Sequence, residues 1–260
     1  MKANEIIEKI TQGAFKPPVT CDTVKAGDPE REVKKLAFSM FATPEVVRDA
    51  KAWGADMLIV HEPTYYDHMD VMIDTPVTRA KRALIEDAGI VIFRYHDCMH
   101  ARIVEQIAEG ELHYLGLKGE VERTEYFGSY ILNLDESISA LELAERMERV
   151  LNIKHVKIAG ARDHKAKRIA LSFGTPGGVF ELLCDETIEM VLTGEACEWK
   201  LGEYARDAAL LGIPKSLIVM GHIGSERDGM RLLAERAKET YPALDVKYFE
   251  CGEVYSYTDK

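Results

Sequence analysis

A chain of 260 residues with 47% hydrophobic and 30% charged side chains has the composition of an ordinary globular protein, long enough for one large or two medium domains. Its formal net charge of −11 excludes the basic stripe of a DNA- or RNA-coating surface, though not a nucleotide-sized ligand held through a divalent cation. No apolar run approaches the ~20 residues of a membrane span, and the opening MKANEIIEKITQGAF reads as an amphipathic helix instead of a signal peptide.

In chain order, the periodicity predicts a helix over 3–11, a strand over 36–41 and a helix over 44–54, opened by Thr43 as N-cap and Pro44 in the first turn. A strand over 57–60, a helix over 76–89, a strand over 90–95 and a helix over 101–109 follow. Glycine and charge then interrupt the pattern across 113–128, which places a lobe boundary there. Beyond it come strand 126–134, helix 137–151, strand 168–173, helix 178–184, strand 190–193, helix 201–212, strand 216–221, helix 226–240 and strand 246–250. Ser225 and Asp228 form a capping-box pattern for the last helix, and Gly54, Gly89 and Gly212 stand where helices stop. The alternation predicts an α/β fold. The five cysteines (Cys21, Cys98, Cys184, Cys197 and Cys251) contain no CxxC pair and read as core thiols of a cytoplasmic protein.

One phrase occurs three times: an amphipathic helix, a glycine, an apolar strand, then histidine. It ends at His61-Glu62, at His96 with His100 four residues on, and at His222 with Glu226 four residues on. Ligands in α/β sheets bind outside the carboxyl ends of strands, so three strands ending in imidazole can serve one metal site. Taken singly, the first two pairs read more readily as a strand-end histidine with a surface partner, whereas in the third a first-turn role accounts for Glu226 but not for His222. Asp97 is placed to cap a turn that puts His96 and His100 on one helical face. Thr193-Gly194-Glu195 ends another apolar run, where Glu195 is either a turn residue or an acid that supports a ligand or moves a proton. GTPGG at 174–178 lacks the G-K-[ST] of a phosphate-binding loop and reads as a tight turn. Tyr65 and Tyr66 follow the first histidine as packing residues or as a stacking platform. His68, His113, His155 and His164 lie in polar stretches or at element edges and receive no role.

In motif order and spacing, from about residue 36 to the C-terminus, the chain resembles the NIF-three-like dinuclear metal-centre family, often labelled GTP cyclohydrolase 1 type 2 homologues. The family's HHP is matched by His61-Glu62-Pro63, its HTNLD by His96-Asp97-Cys98-Met99-His100, and its GHxxxE by Gly221-His222-Ile223-Gly224-Ser225-Glu226. Thr193-Gly194-Glu195 and the Thr43–Val47 segment with Gly54-Ala55-Asp56 also match. The resemblance implies a NIF-three-like fold of two α/β lobes, 1–120 and 121–260, with residues 215–260 packing back on the first lobe and a metal site at strand carboxyl ends between them. It implies two divalent ions (Zn, Fe, Mn, Co or Ni), one taking Glu62, His100 and Glu226 and the other His61, His222 and the bridging Glu226. Glu62 stands where the family has histidine and His100 where it has aspartate, an exchange that preserves the number of each ligand type. CDTVKAGD (21–28) and Phe41 depart from the family pattern at the front end. The implied activity is metal-dependent hydrolysis of a small polar or nucleotide-like molecule; Glu195 or His96 is placed as the catalytic proton carrier, and His96 otherwise stands as a supporting or additional ligand. The implied assembly is a homohexamer, without nucleic acid polymer or membrane as partner. A metal-handling or regulatory protein without turnover, or an inactive ring scaffold, is the alternative.

Overall fold

The computed structural model describes residues 1–102 and 105–258. Helix α1 (Ala3–Thr11) leads into the short strand β1 (Val24–Ala26) and the buried strand β2 (Lys35–Ser39). Helix α2 (Pro44–Trp53) starts as expected: Thr43 accepts a hydrogen bond from Val46 N at 3.2 Å, Pro44 fills the first turn, and Gly54 ends it at φ 82°. Strand β3 (Met57–Val60), helix α3 (Pro76–Ala88), strand β4 (Val91–Arg94) and the single turn α4 (Asp97–His100) follow. Next are α5 (Gln106–Leu115), β5 (Gly119–Arg123), β6 (Ser129–Ser139), α6 (Ala140–Leu151), β7 (Lys157–Gly160), β8 (Lys165–Ser172), α7 (Val179–Cys184) and β9 (Met190–Thr193). A π-helical turn (Glu198–Gly202), α8 (Glu203–Leu210), β10 (Ser216–Val219), α9 (His222–Thr240) and β11 (Asp245–Tyr248) complete the described chain.

Two compact units divide this chain: residues 1–106 with 229–260, and residues 107–228. The first is built on a five-stranded sheet ordered β1-β4-β3-β2-β11, parallel except for β1. Every residue of β3 and β4 is buried, as expected of parallel strands covered on both faces. Val47, Leu58, Val60, Ile85 and Ile92 form the heart of one cluster, each such side chain worth roughly 1.5–3 kcal/mol when fully buried. Because β2, β3 and β4 are parallel, their carboxyl ends emerge on one edge, which delivers His61 and His96 together.

The second unit carries a six-stranded sheet ordered β5-β6-β8-β9-β10-β7, in which β8, β9 and β10 are parallel neighbours and the other pairings antiparallel. Its core packs Ala170, Leu183, Val191, Leu201 and Leu217. The carboxyl ends of β8, β9 and β10 lead respectively into GTPGG, into Glu195 and into His222.

The units part between Gln106 and Ile107 and again after Asp228, whereas the sequence pattern places the seam across 113–128. That stretch contains the end of α5 and all of β5, an edge strand too exposed to announce itself by hydrophobic alternation. Edge strands β1 and β7, half-buried and only three and four residues long, are likewise absent from the expected elements. The helix expected over 101–109 includes residues 103 and 104, outside the described residues. Of the flanking chain, α4 ends at His100 and α5 begins at Gln106. Among the described residues no helix is long and apolar enough to cross a membrane.

Candidate metal centre

In the first unit, His61 leaves β3 directly and is fully buried. Its Nδ1 donates to Tyr95 O at 3.0 Å, which leaves Nε2 as the lone-pair nitrogen. Burial, reinforced by His96 and His100 nearby, holds this imidazole well below its usual pKa and therefore neutral. His100 Nδ1 lies 2.9 Å from Glu105 Oε1, and its Nε2 faces His61 Nε2 at 3.2 Å. At that separation one ring can donate to the other, or both can turn their lone pairs to one cation. Imidazole nitrogens gathered so closely are a donor set that fits a metal. His96 stacks on His61 with ring centroids 4.6 Å apart, and donor nitrogens of His61, His96 and His100 all lie within 4.8 Å of one another.

Two residues that the motifs do not mark hold this cluster. Asp22 accepts from the backbone N–H of His96, Asp97 and Cys98, each at 2.8 Å, and so fastens the start of α4. Thus His96, not Asp97, is the N-cap residue, and the capping side chain arrives from 74 residues away in sequence. Arg94, fully buried, donates Nε to His61 O at 3.0 Å and Nη1 to His68 O, with Nη2 3.6 Å from Glu62 Oε2. The charge of the buried Glu62 is therefore met by a guanidinium, and the loop after β3 is tied to β4.

The second unit presents a matching arrangement. Helix α9 starts at His222, immediately after Gly221 at φ 83°. Ser225 N donates to Gly221 O at 3.0 Å, so Ser225 lies inside the helix and does not open it as the capping pattern suggests. Its hydroxyl instead accepts from Gly174 N at 3.0 Å and donates to His222 O at 2.9 Å. His222 Nδ1 is 2.7 Å from Glu195 Oε1, and Nε2 is 3.2 Å from Oε2 of the buried Glu226. This carboxylate–imidazole–ligand order is the usual way a metal-binding histidine is oriented. Gly174, at φ 64°, explains the first glycine of GTPGG: a β-carbon there collides with the Glu226 carboxylate. Gly194 has the same relation to Ser225 Oγ and the Gly174 backbone. A cleft of about 440 Å³ opens beside Glu195, lined by Thr175, Pro176, Phe180 and Lys200, with Lys200 Nζ 4.4 Å from the centroid of the Phe180 ring.

The structure thus gathers His61, His96 and His100 in one unit and His222, Glu226 and Glu195 in the other, and sets Glu62 against Arg94. Sequence reading passes over Asp22 and Arg94, and takes Gly174 for a turn glycine only, because their partners are remote along the chain. It also passes over His68 and Cys21, both of which approach His96 and Asp97. Tyr65 is half-buried and packs against the core of the first unit, while Tyr66 is exposed at φ 64°.

A family model described as Duf34/NIF3 (NGG1p interacting factor 3) matches residues 5–253. A Clostridium perfringens protein named GTP cyclohydrolase 1 type 2 homolog is 23% identical, with 97% of each chain covered. A Neisseria meningitidis protein of the same name is 34% identical, with 84% of each covered. Among solved structures, protein ybgI, of unknown function, superposes with a TM-score of 0.79 at 21% identity over 98% of this chain and 100% of that one. Reduced HcgD from Methanocaldococcus jannaschii gives 0.75 at 18% identity over 96% and 97%.

Proposed function

The chain belongs to the Duf34/NIF3 family, and we propose that it is a metal-dependent hydrolase of a small polar, nucleotide-like substrate. Two divalent ions would be held by His61, Glu62 and His100 of the first unit and His222 and Glu226 of the second. The observation that carries this reading is the grouping of nitrogens from His61, His96 and His100 within 4.8 Å of one another. Ligands of nitrogen and oxygen suit Zn, Fe, Mn, Co or Ni. The cyclohydrolase name of the relatives supports hydrolytic chemistry.

Bound divalent ions supply Lewis acidity at the bond to be broken. The chain's own residues do the rest. Tyr95 O keeps the His61 proton on Nδ1, and Glu195 keeps that of His222 on Nδ1, so both rings offer Nε2. Glu195, 55% exposed in its side chain, stands at the cleft and can take a proton from a substrate there. His96, with Nδ1 on Asp97 Oδ1 at 2.9 Å, is the corresponding proton carrier in the first unit. Phe180 and Lys200 offer a ring face and a cation to a planar anion.

Elemental analysis of untagged protein purified without chelator tests this. Wild type is expected to carry two ions per chain, and a His222→Ala, Glu226→Ala double variant at least one fewer. Well under one ion per wild-type chain sinks the proposal. A panel of phosphoester, nucleotide and amide substrates, run on metal-loaded protein, separates hydrolysis from the second reading, a metal-handling protein without turnover. That second reading is favoured by the near-complete burial of His61, Glu62 and Glu226. Assembly as a homohexamer, the family expectation, is read by sedimentation of the same sample.

A further inference from the structure

Outside the ligands assigned above, one other cluster among the described residues has the chemistry of a cation site. Cys21, His68, His96 and Asp97 each present a ligand atom, and these four atoms lie within 4.8 Å of one another. Cys21 Sγ is 3.3 Å from Asp97 Oδ1, and His96 Nδ1 is 2.9 Å from the same oxygen. Tetrahedral first-row metals with sulfur at about 2.3 Å and nitrogen or oxygen at about 2.0–2.2 Å need ligand atoms spaced on this scale.

The surroundings hold these groups in place. Asp97 Oδ2 accepts from Thr20 Oγ1 at 2.8 Å and Cys21 N at 3.1 Å, so one carboxylate oxygen is anchored while Oδ1 faces the sulfur and the imidazole. Burial opposes ionisation of Asp97, but the hydrogen bonds from His96, Thr20 and Cys21 outweigh it and keep the carboxyl well below the ordinary range. Asp22 fastens the backbone that carries His96 and Asp97. His68 rides on a loop fixed by Arg94 at its carbonyl and by Asp70, which accepts from Thr64 N and Tyr65 N. Tyr66 and Asp70 both hold left-handed backbone at φ 64° and 60°, a strain that persists where surrounding contacts over-determine the conformation. His68 and His96 rings meet edge to face with centroids 5.3 Å apart.

We propose that Cys21, His68, His96 and Asp97 form a further site for a thiophilic divalent cation of the zinc class. Four protein ligands fill a tetrahedral shell, which is the closed form of site that holds structure in place. Sulfur separates its preference from the nitrogen and oxygen ligands of the proposed dinuclear centre. Ligation replaces the Cys21 thiol proton, which leaves to solvent. His96 is shared with the neighbourhood of His61, so filling this site fixes the ring stacked on His61 and withdraws it from proton transfer, which then falls to Glu195.

Cobalt(II) is the probe, because thiolate ligation gives an intense near-ultraviolet charge-transfer band that nitrogen and oxygen ligands do not. In the full chain this band is expected to saturate near one cobalt per chain and to be bleached by zinc. It should fall at least tenfold in Cys21→Ser and persist in His222→Ala, a variant that disables the dinuclear proposal alone. Absence of the band in wild type, or its survival in Cys21→Ser, overturns the assignment. Should Cys21→Ser fail to fold, His68→Ala changes only an exposed side chain and is expected to weaken cobalt affinity, followed by the same band, at least tenfold. Unchanged affinity in that variant overturns the four-ligand site.

Discussion

At the residue scale, Asp22 concentrates more structural consequence than any motif letter near it. One carboxylate accepts three backbone N–H groups at the start of α4, a charge-assisted cap on the turn that bears His96 and His100. Asp22→Ala leaves those donors without their acceptor and is expected to cost on the order of 2 kcal/mol. It should also weaken metal binding roughly tenfold or more, as loss of supporting contacts does. Denaturant unfolding and metal titration check this, and an unchanged midpoint would show that water substitutes fully. His61, His96 and His222 are legible in the sequence because each follows an apolar strand, a local signal. Asp22 is illegible because its partners lie 74 to 76 residues away. Arg94 is hidden differently: arginine in an apolar strand reads as a solvent-facing exception, yet it is fully buried and meets Glu62 and Asp70.

At the element scale, Asp56 joins the α2–β3 connection to the start of β2. Burial pushes its pKa up, but N–H groups of Lys34 and Lys35 at 2.9 and 3.0 Å, with Arg31 at 3.1 Å, pull it down further. A carboxyl depressed on folding adds stability above its unfolded pKa of about 4 and loses it as pH falls through the lower folded value. Asp56→Asn should therefore lower stability at pH 7 by roughly 1 kcal/mol, with the gap from wild type closing on acidification below about pH 4. A gap that widens in acid contradicts the sign. The start of α9 shows how element boundaries escape sequence reading. Ser225 looks like a cap because serine usually is one, yet the helix begins at His222 and the hydroxyl is used by Gly174. Helical geometry from His222 onward is what brings Glu226, four residues on, against its ring. Gly174 belongs to the same lesson: its missing side chain is space for Glu226, a requirement set by another element.

At the scale of the whole molecule, the parallel core strands and their order of helices follow from hydrophobic runs and were readable, whereas the edge strands β1, β5 and β7 were not. Those edges are held by neighbours and carry no apolar pattern of their own. Both units were expected to supply ligands, and each brings imidazole nitrogen beside further donor atoms, His100 beside His61 in one and Glu226 beside His222 in the other. Metal that binds only the folded chain stabilises it by mass action, about 2.7 kcal/mol at a hundredfold excess over Kd. For a chain of this size that corresponds to roughly 5–10 °C. Chelator-treated protein should melt lower by about this amount, and metal should restore the transition. Calorimetry with and without chelator reads it, and identical transitions would indicate that the histidines are satisfied without ions.

The grip of Asp22 on three consecutive amides also sets a clock. The N–H groups of His96, Asp97 and Cys98 point at a carboxylate from segment 20–22 and take no part in a sheet ladder. Their exchange with deuterated solvent therefore reports the opening of that segment, separately from unfolding of the sheet beneath. A cation that joined Cys21 to Asp97 would bind the two ends of the same clasp. These three amides would then slow together while those of β3 and β4 kept their own pace.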